Sequence, residues 1–235
     1  MRRIVPVVGL LALVPGLYVA GASDAQTAPV RLEEAKLIIE VNATDGDAGL
    51  QVFLDGEAWR SMEVFGPDGR KLLDVESRGE LGDLGLTELF SESNEPSFEE
   101  LSLEEFKALF PEGRYSFSGE TVEGQRLRGT ARLSHATPAG PMVVTPEPGG
   151  VVAPDHAVIS WQPGDQPAGV EIVSYQVIVE RENPLRVFSV DLPATTTSVT
   201  VPPEFLEPGT QYKLEVLAIE ASGNQTITEI EFMTT

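Results

Sequence analysis

The stretch Leu206-Glu-Pro-Gly-Thr-Gln-Tyr-Lys-Leu-Glu-Val-Leu-Ala-Ile-Glu220 decides the fold of the C-terminal half of this chain. Its Pro-Gly pair predicts a tight turn. After the turn, apolar and polar residues alternate with the period of a half-buried strand. The apolar positions of this strand are Tyr212, Leu214, Val216 and Ala218. A tyrosine placed there can bond through its hydroxyl to the backbone of the preceding corner. The stretch therefore predicts a crossover between the two sheets of a β-sandwich, with Tyr212 in the core.

The remainder of the C-terminal half repeats this alternation at the even spacing of a sandwich. Strands are predicted at 157–162, 171–180, 185–191, 198–201, 211–220 and 226–233. A proline-flanked strand within 137–150 precedes them, which makes seven.

Three segments carry a resemblance to a known family. Ile159-Ser-Trp-Gln-Pro163, Tyr175-Gln-Val-Ile-Val179 and the opening stretch occur in the right order and resemble the second, third and sixth strands of a fibronectin type III domain. The resemblance implies an immunoglobulin-like sandwich over residues 138–235, with Trp161 in its core. No Arg-Gly-Asp occurs, so the integrin-binding loop of some family members does not carry over.

The first half also predicts strands, but it resembles no family. Alternation on both sides of Thr44–Gly49 predicts one hairpin, and the turn Gly66-Pro-Asp-Gly69 predicts another. Between Leu127 and Leu133 the pattern predicts one buried face and one face bearing Arg128 and Arg132.

A change of period interrupts these strands. Ser102-Leu-Glu-Glu105 is a capping-box pattern that predicts a short helix. The predicted fold class is therefore mostly β: two tandem β-sandwich-like domains, the first over residues 34–137 with a helical insertion at about 81–110. Four prolines between Thr137 and Gly150 predict a semi-rigid connector between independently folding halves.

The N-terminus predicts export. Met1 to Ala22 combines two arginines, a short apolar run and small exit residues, as a secretory signal peptide does. Cleavage is expected after Ala22 or Ala25, and residues 23–33 are expected to form a flexible tail. A retained membrane anchor is the alternative. Because the chain has no cysteine, we expect a secreted or periplasmic bacterial protein.

The charge balance narrows the partner classes. Thirty-seven acidic residues against 16 basic ones give a net charge of −21. Such a surface repels phosphate backbones and anionic lipids, so we expect neither nucleic-acid binding nor direct membrane binding after signal removal. Solubility in salt and an acidic binding patch remain alternative explanations of the charge.

No catalytic, cofactor or metal site is predicted. His135 and His156 flank the connector, where exposed loop positions explain them as well as a metal site does. Glu99-Glu100 and Glu104-Glu105 are interpreted as solvated carboxylates on or before the short helix. Asp45 and Asp47 are the best calcium candidates, but their loop fails the EF-hand spacing and equally suits a hairpin turn.

Three functions follow from these patterns. The preferred hypothesis is an exported, non-enzymatic binding or scaffolding protein that presents its sandwiches to a protein or glycan. The second is an accessory module of an extracellular polysaccharide-degrading system, and the third is a hydrolase that uses carboxylates of the first domain. Exposed aromatic side chains on one face would favour the second, and a pair of facing carboxyl groups would favour the third.

Overall fold

The computed structural model describes residues 28–235, which form fifteen β-strands, two α-helices and one 3-10 helix. The expected signal peptide, both expected cleavage positions and residues 23–27 of the expected tail lie outside this range. Within it, no helix combines the length and apolar character that a membrane span requires. The fold is mostly β, with two tandem β-sandwich-like domains, as the sequence predicts.

The first domain is organised around one long strand. Its elements are β1 (Val30–Arg31), β2 (Glu34–Asn42), β3 (Asp47–Phe65), β4 (Lys71–Glu76), α1 (Glu80–Leu84), β5 (Leu86–Glu92), α2 (Leu103–Leu109), β6 (Gly113–Thr121) and β7 (Arg126–Leu133). The N-terminal part of β3 pairs with β2 and β5, and its C-terminal part pairs with β4 and β6. Because β3 pairs with different strands along its length, it links them into one sheet. This sheet encloses one core, which includes the fully buried Ile39, Leu54, Trp59, Phe117 and Leu127.

The helical insertion is confirmed, but it also contains a strand, β5, that the sequence pattern did not predict. Helix α2 begins with the predicted capping box: the Ser102 hydroxyl accepts from the Glu105 backbone N–H, and the Glu105 carboxylate accepts from the Ser102 N–H. Phe106 is the buried residue of this helix. Strand β5 lies between α1 and α2, and none of its residues is fully buried. Its weak burial explains why no clear alternation marks it.

The second domain is a two-layer sandwich. Its elements are β8 (Met142–Thr145), β9 (Gly150–Val152), the 3-10 helix Pro154–His156, β10 (Val158–Gln162), β11 (Ile172–Arg181), β12 (Arg186–Pro193), β13 (Ser198–Thr200), β14 (Gln211–Glu220) and β15 (Gln225–Thr234). One layer has the order β12-β11-β14-β15, with β9 beside β15, and the other has the order β13-β10-β8. All seven predicted strands are present, and β9 adds a short eighth.

The segment Leu206–Glu220 and the core residue Trp161 have the predicted arrangement. Trp161 is 2% exposed and Tyr212 is 1% exposed. The Tyr212 hydroxyl accepts a hydrogen bond from the Glu207 backbone N–H at 2.8 Å, which ties the new strand to its corner. Gly209 has φ of +64°, a left-handed conformation that glycine adopts without strain.

The prediction of a flexible tail over residues 23–33 is wrong at its C-terminal end. Val30 and Arg31 form β1, which pairs in parallel with β7, and the Leu32 backbone N–H donates to the Arg128 carbonyl at 2.9 Å. Val30 and Leu32 also pack against the first core. The polar residues before Val30 suggested flexibility, but Val30 and Leu32 anchor this segment to the core.

The two domains are joined by more than the connector. Gln225–Ile227 of β15 pair in parallel with Glu40–Asn42 of β2, so one layer of each sandwich continues into the other as a single sheet. The Ala43 backbone N–H extends this contact by donating to the Ile227 carbonyl at 2.9 Å. The hydrophobic cores stay separate, one within residues 37–133 and the other within 157–232. Each half therefore buries its own aromatic residues, while backbone pairing joins the halves.

Candidate functional site

One face of the first domain concentrates positive charge. Along β7, Leu127 and Leu133 point into the core, so the alternate residues Arg128, Thr130 and Arg132 point to solvent. The same outer face includes Arg114 of β6 and Arg31 of β1, both exposed. We call Arg31, Arg114, Arg128 and Arg132 the arginine face. Alternation along the sequence predicted the outward position of Arg128 and Arg132, whereas Arg31 and Arg114 join them only through strand pairing.

Strand register places these arginines in like-charged pairs. Arg31 lies directly opposite Arg128, and Arg114 lies directly opposite Arg132. Opposed residues on neighbouring strands have Cβ atoms about 5 Å apart, and like charges at such positions destabilise a sheet. Three of the four arginines, with Thr130, line a shallow depression of about 460 Å³.

The four guanidinium groups have no polar partner within residues 28–235. In the same range, five other arginines lie within 4.0 Å of a carboxylate oxygen: Arg60, Arg70, Arg78, Arg181 and Arg186. Arg126, at the end of β7, has its own interaction and lies opposite Glu120. The arginine face is therefore an unneutralised cationic surface on a chain with a net charge of −21.

A second polar cluster lies at the domain junction, where Asn224 is fully buried. Its side-chain oxygen accepts from the Ile39 backbone N–H at 2.8 Å. Its amide nitrogen donates to the Ser134 and Ala136 carbonyls at 2.8 and 2.7 Å. Asn224 itself lies in the turn before β15. Its side chain bonds to β2 and to the end of the first domain, so it connects the two domains. Beside it, the buried Thr226 hydroxyl donates to the Pro138 carbonyl at 2.6 Å.

Carboxylates gather next to this junction. Oxygens of Glu40, Glu92 and Glu95 lie within 4.8 Å of one another, and Glu40 is only 9% exposed. Burial, together with the charges of Glu92 and Glu95, raises the pKa of Glu40 to about 7, although Gln225 donates a hydrogen bond to its carboxylate. Burial and the Glu92 charge likewise raise the pKa of Glu95. The cluster therefore contains mutually repelling groups at neutral pH.

Residues 147–233 match the family model for the fibronectin type III domain. The second domain is a fibronectin type III domain. This confirms the resemblance given by Trp161, Tyr175 and the Tyr212 corner. The N-terminal half lies outside the matched residues.

Two solved structures are also similar to this chain. One is a segment of two fibronectin type III domains from chicken tenascin, with 14% identity and a TM-score of 0.31 over 84% of this chain and 96% of that one. The other contains domains FN1 to FN3 of chicken CNTN1, with 14% identity and a TM-score of 0.34 over 88% of this chain and 66% of that one. No curated protein sequence matches this chain.

The calcium candidates lie at the turn between β2 and β3, Asp45 within it and Asp47 at the first position of β3. Asn42 organises this turn: its side-chain oxygen accepts from the backbone N–H groups of Thr44 and Asp45, and its amide donates to the Asp45 carboxylate at 3.1 Å. Asp47 has one buried side-chain oxygen without a partner among the described residues, and burial raises its pKa. The Asn42 side chain and one oxygen of the Asp45 carboxylate are therefore already engaged in hydrogen bonds within the turn.

The remaining candidates do not converge on one site. His135 Nε2 lies 2.7 Å from the Phe110 carbonyl, whereas His156 pairs with Asp155 on an exposed 3-10 helix. Glu99, Glu100 and Glu104 are exposed, and Glu105 caps its own helix. None of these residues belongs to the carboxylate cluster, whose members come from β2, β5 and the segment after β5. Sequence reasoning could not find that cluster because its three residues span 56 positions of the chain.

Proposed function

We propose that this chain is an exported, non-enzymatic binding or scaffolding protein that holds two β-sandwich domains in a fixed relative orientation before a protein or glycan partner. Fibronectin type III domains are often binding or scaffolding modules and commonly occur in extracellular or secreted proteins. The observation that carries the proposal is the junction, where strand pairing and the buried Asn224 connect the domains. A mobile pair of domains would not need such a connection.

The alternative functions receive less support. Phe90 is the one large aromatic side chain that is exposed within residues 28–235, so no aromatic platform for sugar rings accompanies it there. In the carboxylate cluster, Glu40 is buried and accepts a hydrogen bond from Gln225 across the domain junction. This arrangement favours a structural role for Glu40 over one in hydrolysis.

The test is to cross-link the mature chain within the envelope and medium fractions of the cells that export it. We expect a defined protein or glycan to be recovered with the wild-type chain and less of it with Asn224→Ala. Asn94→Ala, an exposed asparagine of the same domain pair, is the matched control. Turnover of a polysaccharide or peptide by the wild-type chain, abolished by Glu40→Gln, would instead make the protein an enzyme.

A further inference from the structure

We propose that the arginine face is a docking site for an extended acidic segment of a partner protein. The inference builds on the proposed binding function and assigns it a surface and a partner chemistry. It rests on three properties of Arg31, Arg114, Arg128 and Arg132: they lack polar partners, they face one another in pairs, and two of them repeat along β7.

The absence of polar partners for the four arginines within residues 28–235 favours an anionic ligand. Arg31 with Arg128, and Arg114 with Arg132, are opposed like charges that no carboxylate within residues 28–235 neutralises. Acidic residues greatly outnumber basic ones in this chain, yet they pair with other arginines instead. A guanidinium group binds a carboxylate through two parallel hydrogen bonds, so carboxylates brought by a partner would remove this repulsion.

The spacing of the arginines matches a polypeptide. Alternate residues of an extended strand are about 6.6 to 6.8 Å apart, so Arg128 and Arg132 are separated by about 13 Å with Thr130 between them. A partner segment in the extended conformation repeats its same-face side chains at the same interval. Carboxylates at alternate positions of such a segment would therefore meet both arginine pairs and the Thr130 hydroxyl.

Long polyanions fit this surface less well. Screening at physiological salt limits favourable interactions to about 8 Å, so the arginine face attracts charge only locally. A polyanion that extends past the face meets a molecule with a net charge of −21, which repels it. The outward residues between the arginines are Ser116, Ser118 and Thr130, which offer hydroxyl groups but no aromatic ring for stacking on sugars.

Two fluorescein-labelled peptides of identical composition test the proposal. One alternates glutamate and threonine four times, and the other has four glutamates followed by four threonines. Binding to the full mature chain is measured by fluorescence anisotropy at about 50 mM and about 300 mM salt. The variant is Arg128→Gln with Arg132→Gln, and the control is Arg70→Gln with Arg78→Gln, which removes the same charge from exposed arginines elsewhere.

We expect the alternating peptide to bind more tightly than the block peptide, and the variant to weaken its binding about tenfold or more while the control does not. Melting curves should show that both double variants fold. Equal weakening by the two double variants, or no preference for the alternating peptide, would overturn the proposal. So would tighter binding of a polyuronate or of vesicles containing anionic lipid. Asn224→Ala should leave peptide binding unchanged, so a failure of this site is distinguishable from a failure of the fixed junction.

Discussion

The side-chain oxygen of Asn224 accepts a hydrogen bond at 2.8 Å from the backbone N–H of Ile39, a residue 185 positions earlier in the chain. Asn224 is in the fibronectin type III domain, and Ile39 is in the core strand β2 of the first domain. Because the amide of Asn224 also reaches the two carbonyls at the end of the first domain, a single side chain secures the domain junction.

Replacing Asn224 by alanine should destabilise the protein. The change leaves the Ile39 N–H and the Ser134 and Ala136 carbonyls without their partner at a buried site. Each unsatisfied buried group costs about 1 to 3 kcal/mol, so we expect a loss of about 2 to 4 kcal/mol after partial rehydration. Urea unfolding measures this loss, and Asn94→Ala should unfold as the wild type does. A difference within about 0.5 kcal/mol would show that Asn224 contributes little.

Glu40 should make the protein less stable as the pH rises. Its folded pKa of about 7 lies above the ordinary value of 4.5, so the fold favours the protonated form. The resulting penalty is absent below about pH 4.5, grows through the interval and is complete above about pH 7. We therefore expect Glu40→Gln to raise the melting temperature at pH 8 and to change it little at pH 4.

The control for this prediction is Glu88→Gln, an exposed carboxylate on strand β5 of the same domain. Both substitutions remove one carboxylate charge, so a difference between them isolates the effect of burying Glu40. If Glu40→Gln lowered the melting temperature at pH 8, the ionised carboxylate would stabilise the fold. The pKa of Glu40 would then not be raised by burial, contrary to this account.

Calcium should not materially stabilise the chain. Calcium takes six to eight oxygen ligands, whereas Asp45 is engaged by Asn42 and Glu40 by Gln225. Melting scans in millimolar calcium and in chelator should therefore coincide. A shift of many degrees that Asp45→Ala with Asp47→Ala removes would establish a calcium site in this loop.

Truncating the core tryptophan of the fibronectin type III domain should be costly. Trp161 is 2% exposed, and its ring packs edge-on against Tyr175 with centroids 5.3 Å apart. Trp161→Ala should cost about 3 to 5 kcal/mol, and Trp161→Phe should cost less because it keeps an aromatic ring. Acrylamide should barely quench Trp161 in the folded Trp59→Phe variant. Free access of the quencher would show that the assigned strand register is wrong.

Local patterns predicted most of the fold. Alternation predicted the strands of the fibronectin type III domain, and Ser102 with Glu105 predicted the capped helix, because each signal lies within a few neighbouring residues. Strand β5 was missed because its residues are only partly buried, and β1 was missed because it is two residues long.

The candidate sites were predictable only in part. Arg128 and Arg132 lie on one strand, so alternation revealed their outward face, whereas Arg31 and Arg114 reach it through pairing between strands distant in sequence. The Asn224 junction was not predicted at all. Its partners are backbone groups, which carry no residue-specific signal, and the connector prolines suggested separate halves. The cores are indeed separate, but the pairing of β2 with β15 adds a contact that only the folded chain displays.

The distance between the two domains tests the fixed junction most directly. Since the chain contains no cysteine, Thr130→Cys on β7 and Ser189→Cys on β12 can carry the only two nitroxide labels, both at exposed mid-strand positions. Pulsed electron paramagnetic resonance should give one narrow distance distribution, as narrow as that of a pair within the second domain, Ser189→Cys with Thr200→Cys. Adding Asn224→Ala should broaden only the distribution between domains. A broad distribution between domains in the otherwise wild-type chain, with a narrow one within the second domain, would contradict the fixed junction and the scaffolding function that depends on it.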